Sequence, residues 1–151
     1  MTDVERLLAL EDIRKLKAAY FRCMDTKRRD ELADLFTEDA VFDTRGALEM
    51  PKPEAEYEAE PVLTGRALIA NYITNGLAPM ASVHHGHMPE IEILSANEAN
   101  GVWAMDDLLV PADGVPFRTF RGYGYYRETY RRTDRWRIAT LKLRRFYVEI
   151  V

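Results

Sequence analysis

The chain has 151 residues, 47% of them hydrophobic, with 21 Lys and Arg against 25 Asp and Glu for a net charge of −4. That length and apolar content suit a single domain over residues 1–151 with a real core, and the acidic balance argues against a general nucleic-acid binder, which needs a basic surface to neutralise phosphates. One cysteine, Cys23, rules out an intramolecular disulfide and a cysteine metal cluster.

Asp3 and Glu5 stand where an export leader would be basic, and no apolar run approaches the roughly 18 residues of a membrane span. A soluble, cytoplasmic protein with no membrane partner is therefore expected. Thr2 and Glu5 form the pattern of a capping box, and Ile13, Leu16, Tyr20 and Cys23 recur at helical spacing, which predicts a helix from about Asp3 to about Met24. A short helix is expected around Asp30 to Phe36, then a brief strand at Ala40 to Asp43. Residues 43 to 61 contain Pro51, Pro53, Pro61 and many glutamates, and read as a long loop that is either a lid or a disordered stretch. Thr64-Gly65 opens a helix whose Leu68, Ile69, Tyr72 and Ile73 form an apolar stripe, ended by Asn75-Gly76.

From Ser82 onward the sequence predicts strands over 82–94, 100–110, 118–132 and 136–150. Helices followed by a meander imply an α+β fold in which an antiparallel or mixed sheet curls around N-terminal helices. Gly122 and Gly124 suit a bulge or bend that lets the sheet curve. The arginines after residue 117 recur along strands and fit a solvated or subunit-facing sheet face. Tyr123, Tyr125, Trp136 and Phe146 offer more aromatic surface than one helix layer covers, so a homo-oligomer is expected.

All three histidines lie in Ser82-Val-His-His-Gly-His-Met-Pro-Glu90, and strand alternation sends His84 to one face and His85 and His87 to the other. Histidine exchanges protons near neutral pH without elaborate tuning. His84 reads as a proton-transfer residue or as a buried histidine held by a backbone carbonyl. His85 and His87 share a face but have no obvious third ligand there, so no metal is expected.

Two acids could serve His84. Asp25 lies five residues after Tyr20, roughly 140° around a helix, so it faces solvent if the helix continues and can turn inward if the helix stops at Met24 or Asp25. The sequence leaves both open. Asp107 shares a strand face with Trp103, Met105 and Leu109, which reads as an acid aimed into an apolar interior or as one reaching water or an arginine at the strand end. Tyr20 lies on the apolar stripe of the first helix, where its phenol either packs in the core or donates to a developing enolate oxygen. Tyr72, Trp103 and Phe120 are assigned to an apolar substrate wall from composition. Cys23 reads as a small core residue.

The segments Leu16–Asp25, His84–Ile91 and Gly101–Asp107 together resemble the SnoaL-like branch of the cystatin-like (nuclear transport factor-like) α+β cone superfamily, and within it most closely the bacterial bile-acid 7α-dehydratases. The resemblance covers about Ile13 to Ile150. It implies a catalytic set of Tyr20, Asp25, His84 and Asp107, no cofactor, and a trimer in preference to a dimer. Scytalone dehydratases of the same superfamily carry a second pocket histidine and further tyrosines where this chain has Trp103, Met24 and Thr44.

The expected activity is a dehydratase that eliminates water from a hydroxylated cyclic ketone, steroid or polyketide-like. His84 would take the proton, Asp25 would orient the imidazole, Tyr20 would hold the enolate oxygen, and a protonated Asp107 would assist the departing hydroxide. The alternatives are a ketosteroid-type isomerase using the same residues and a non-catalytic cone that holds an apolar ligand. The latter requires no carboxylate within hydrogen-bond reach of His84.

Overall fold

The computed structural model describes residues 1–57 and 62–151. Helix α1 (Asp3–Asp25) begins at the predicted capping box, in which Thr2 and Glu5 satisfy each other's backbone N–H groups. Its stripe of Ile13, Leu16, Tyr20 and Cys23 is buried as the spacing predicted. Helix α2 (Arg29–Asp34) ends earlier than expected, because Phe36 already belongs to strand β1 (Phe36–Asp43). Ile138 donates its backbone N–H to the Leu35 carbonyl at 2.9 Å, and Phe36 then pairs with Ile138 in the sheet. Burial of Phe36 in the core overrides its place in the short helical repeat.

The segment expected to be a loop carries one short helix, α3 (Glu54–Tyr57), and 58–61 of it lie outside the described residues. Strand β2 (Leu63–Thr64) and helix α4 (Arg66–Leu77) follow. The chain then runs through β3 (Met80–Ile93), β4 (Glu98–Pro111), β5 (Phe120–Arg132) and β6 (Trp136–Ile150). The sheet has the order β2-β1-β6-β5-β4-β3, with β1 parallel to β6 and the other neighbours antiparallel. The fold is thus α+β, with helices against a six-stranded mixed sheet.

Strand β4 alternates without interruption, whereas β1, β3 and β6 carry register irregularities. On β4, Trp103, Met105, Asp107 and Leu109 face inward, as strand parity required. The expected irregularity near Gly122 and Gly124 exists: the register shifts between Tyr123 and Gly124, and Phe146 is the unpaired extra residue on β6. A Cβ on Gly124 would lie 2.8 Å from the Arg145 Cα, so the two strands approach closely only because this residue is glycine.

The outer face carries the ring pairs Tyr123–Tyr147 and Tyr125–Phe146, each with centroids 5.8 Å apart. Trp136, expected on this surface, is instead buried in the core beneath the helices, since it occupies the inward parity of β6. Among the described residues, no helix is long and apolar enough to cross a membrane.

Candidate active site

The end of α1 decides where Asp25 points. Arg28 donates its N–H to the Cys23 carbonyl at 2.8 Å and Lys27 to that of Met24 at 3.2 Å, with Lys27 at φ 56°. This is a Schellman ending whose left-handed residue is a lysine in place of the usual glycine. The Lys27 ammonium bonds the Asp25 carbonyl at 3.1 Å and the Ser82 hydroxyl at 3.2 Å, so its side chain joins the reversed turn to β3. The helix stops at Asp25, and the carboxylate turns inward toward β3.

There it grips His84 from two sides. One carboxylate oxygen lies 2.6 Å from His84 Nδ1 and accepts the Ser82 hydroxyl at 2.9 Å, while the other accepts the His84 backbone N–H at 2.8 Å. An ionised carboxylate only accepts, so Nδ1 carries the proton and Nε2 is the basic nitrogen. Nε2 faces a cavity, and the side chain is 6% exposed.

Asp107, directly opposite His84 across β3 and β4, has an oxygen 3.5 Å from Nε2. Its expected role as a protonated acid is not supported. Both of its oxygens accept from Arg145, at 2.7 Å each, and this fork-to-fork geometry holds the carboxylate as an anion. The pair is buried, and the Arg145 guanidinium lies 4.8 Å from the Phe120 ring centroid. Gly122 leaves room for it: a Cβ there would lie 2.6 Å from Asp107 Oδ1 and inside the guanidinium.

Two phenols complete the polar end. Tyr20 and Tyr126 are fully buried, line the same cavity and pack edge to face with ring centroids 6.0 Å apart. Burial pushes both hydroxyls up from their ordinary range, so they stay neutral donors at physiological pH. Beneath them lies a buried ion pair between Lys17 and Glu128, with the ammonium 4.2 Å from the Tyr20 ring centroid and 3.7 Å from that of Tyr126. Glu128 also accepts from the Tyr130 hydroxyl, which accepts from Trp103 Nε1 at 2.9 Å.

The remaining predicted wall residues divide. Tyr72 lines the cavity at its mouth, 45% exposed. Trp103 does not line it: its indole is tied to Tyr130 and packs by Gly86 and Phe21, farther along β4. Phe120 does not line it either, but packs with Leu109 and Val148 and supports Arg145. Composition identified both as large and apolar, yet gave no direction along the strand. Tyr126 and Arg145 were missed: inward parity with Tyr130 marks Tyr126, whereas Arg145 is out of phase with Trp136 and Ile138 and turns inward only because the extra residue Ala139 shifts the register of β6.

His85 and His87 lie on the outer face as expected and share Asp106 between them. Among the described residues, no group of three or more His, Cys, Asp or Glu is arranged to hold a metal ion. Cys23 is buried in the core.

Residues 5–142 match the model of the SnoaL-like domain family. Among solved structures, the chain is similar to hexachlorocyclohexane dehydrochlorinase LinA type 2, at 21% identity and a TM-score of 0.80 over 99% of this chain and 93% of that one. It is likewise similar to a provisionally assigned scytalone dehydratase from Novosphingobium aromaticivorans, at 21% identity and a TM-score of 0.79 over 99% and 92% of the two chains. A further likeness is to an NTF2-like protein with a cystatin-like fold from the same organism, at 19% identity and a TM-score of 0.67 over 95% and 85%.

Proposed function

The chain belongs to the SnoaL-like domain family, and from that premise we propose that it is a cofactor-independent dehydratase acting on a hydroxylated cyclic ketone. The observation that carries this reading is the Asp25–His84 pair at 2.6 Å, with the other imidazole nitrogen facing a cavity whose polar groups include Tyr20, Tyr126, Asp107 and Arg145. A cone that merely stores an apolar ligand needs no carboxylate on His84. The likeness of Tyr20, Asp25, His84 and Asp107 to the set of the bile-acid 7α-dehydratases supports the same reaction, as does the dehydrochlorinase named among similar folds.

In this mechanism His84 Nε2 removes the proton that the carbonyl acidifies, and the electrons of that C–H bond pass into the carbonyl oxygen. Tyr20, which packs against Tyr126 in the same cavity, donates to the resulting enolate. The new imidazolium lies between Asp25 and Asp107, both anionic, which stabilise its charge. Arg145 keeps Asp107 from repelling the enolate in full. When the enolate collapses, the C–O bond to the leaving hydroxyl breaks, and His84 returns its proton to that oxygen as water. Asp107 acts here as an anionic support in place of the acid first expected.

The protein is also proposed to work as a homo-oligomer, a trimer before a dimer, through the aromatic outer face. The test of the activity is a screen of hydroxylated keto-ring compounds by mass and NMR, with His84→Ala beside the wild type. Loss of one water in the wild type alone supports the dehydratase. A shifted double bond at constant mass identifies an isomerase, and equal turnover by both proteins removes His84 as the base.

A further inference from the structure

The size and lining of the cavity define its ligand more narrowly than the catalytic groups do. Its volume is about 160 Å³. A cavity of roughly 150 Å³ holds one benzene ring, while drug-sized ligands occupy pockets of roughly 300–1,000 Å³. The walls are Met24 from α1, Phe42 from β1, Ile73 and Leu77 from α4, Leu109 from β4 and Leu143 from β6, all in regular elements of the packed core or its border.

The irregular part of the wall, Ala47 and Leu48, is tied down as well. The Ala47 carbonyl accepts from Arg145 Nε, so the guanidinium that holds Asp107 also holds the loop. Asp43 accepts from Arg45 at 2.8 Å and Arg144 at 2.9 Å, and Glu54 accepts from Arg144 at 2.9 Å and from Lys142. Gly46 adopts φ 74°, and a Cβ there would lie 2.8 Å from Tyr57 Cζ and closer still to Cε1, so the loop crosses this ring at backbone contact. The small volume is therefore a property of the anchored fold.

The charges inside the cavity are also accounted for. Arg145 is matched by Asp107, and His84 is backed by Asp25 from outside the cavity, so an anionic ligand would meet the Asp107 carboxylate and no unmatched cation among the described lining residues. The charged lining groups are in mutual contact, His84 with Asp107 and Asp107 with Arg145, while the Tyr72 phenol stands at the mouth.

Resting on the dehydratase reading for its chemistry, we infer that the ligand is a neutral single carbocycle, with its carbonyl and hydroxyl along one edge and bare hydrocarbon elsewhere. Of the ring systems that the sequence resemblance implies, the four-ring steroid is the one this volume leaves out. Tyr72 and Leu48, both partly exposed at the mouth, are the residues that a larger ligand would have to displace.

The test is a calorimetric series on the wild-type protein with phenol, 2-naphthol, a four-ring steroid phenol and benzoate, the phenol oxygen standing for the enol. The expected order is phenol tightest, 2-naphthol at least about tenfold weaker, and no heat of binding from the steroid phenol or benzoate. Met80→Ala, which widens the cavity wall, is expected to raise naphthol affinity at least about tenfold while leaving phenol nearly unchanged. Steroid phenol or benzoate binding as tightly as phenol overturns the inference, and so does the absence of binding by every probe. If the ring-size order holds but no hydroxylated ketone loses water, the size inference stands and the dehydratase reading falls.

Discussion

At the residue scale, the site depends on a carboxylate that does three jobs at a helix end. Asp25 accepts from the imidazole, from the His84 backbone and from Ser82. Asp25→Asn keeps the shape but offers an amide where only acceptors fit, so the imidazole loses its tautomer lock. Turnover is expected to fall about 10²- to 10⁴-fold, the range of a general acid–base contribution, with little change in thermal midpoint. Gly122→Ala should act by a different route. The new methyl overlaps the Arg145 guanidinium, which must leave Asp107, and the cost in stability is about 1–3 kcal/mol as for other overpacked sites. A urea melt measures that cost, and unchanged stability and turnover would mean the pair is not confined as described.

The buried Lys17–Glu128 pair gives a further residue-level expectation. Lys17→Met leaves Glu128 in the core without its countercharge, with the Tyr130 hydroxyl still donating to it, at a cost of about 3–5 kcal/mol, whereas the double change to Met and Gln should recover most of it. Denaturant midpoints of the two variants decide the matter. Helical periodicity places Lys17 on the buried stripe, four residues after Ile13 and three before Tyr20, but its partner, an acid more than a hundred residues away, has no local signature. Asp25 had the same difficulty: its direction is set by the left-handed turn at Lys27, a conformation lysine seldom adopts, so the sequence left its orientation open. His84 and Asp107, by contrast, were legible because strand parity alone assigns their face.

At the scale of elements, the strap from Thr44 to Tyr57 is held by acids whose protonation is displaced. Hydrogen bonds from Arg144 and Lys142 lower the Glu54 carboxyl from 4.5 to about 2. Burial alone would raise Asp43, but the hydrogen bonds from Arg45 and Arg144 outweigh it and hold this carboxyl below its ordinary range. Both groups bind more protons when released, so their hold on the strap is complete above about pH 4.5 and is lost as pH falls toward 2. Limited proteolysis should therefore leave the strap intact at pH 5 to 7 and cut it increasingly below about pH 4. Cutting that is independent of pH would contradict the ion-pair anchoring. The proline and glutamate content of this stretch predicted a loop, and correctly so for most of its described residues. The short helix within it was hidden, since Glu54 is held by Arg144 and Lys142 on β6 and not by local preference.

At the scale of the whole molecule, the order of helices followed by strands was sufficient to predict an α+β curved sheet, and the inward–outward alternation was readable along nearly every strand. Pairing was less legible: the parallel contact of β1 with β6 joins residues about a hundred positions apart, and no local pattern encodes it. The proposed assembly would use the outer face, where Tyr125 and Phe146 pair with ring centroids 5.8 Å apart. Sedimentation should give a multiple of the 17.5 kDa chain, three in the expected case, and Tyr125→Glu with Phe146→Glu should reduce it to the single chain. A wild type that sediments as a single chain would remove the oligomer.

Removal of a carbon-bound proton by His84 is open to a measurement that needs no knowledge of the natural substrate. A simple cyclic ketone is incubated with the protein in heavy water, and NMR follows exchange of the hydrogens beside the carbonyl. Exchange well above the buffer rate is predicted for the wild type, with loss of about 10²- to 10⁴-fold of that excess in His84→Ala. Equal exchange in the two proteins, or none above buffer in the wild type, would contradict the assignment of His84 as the base.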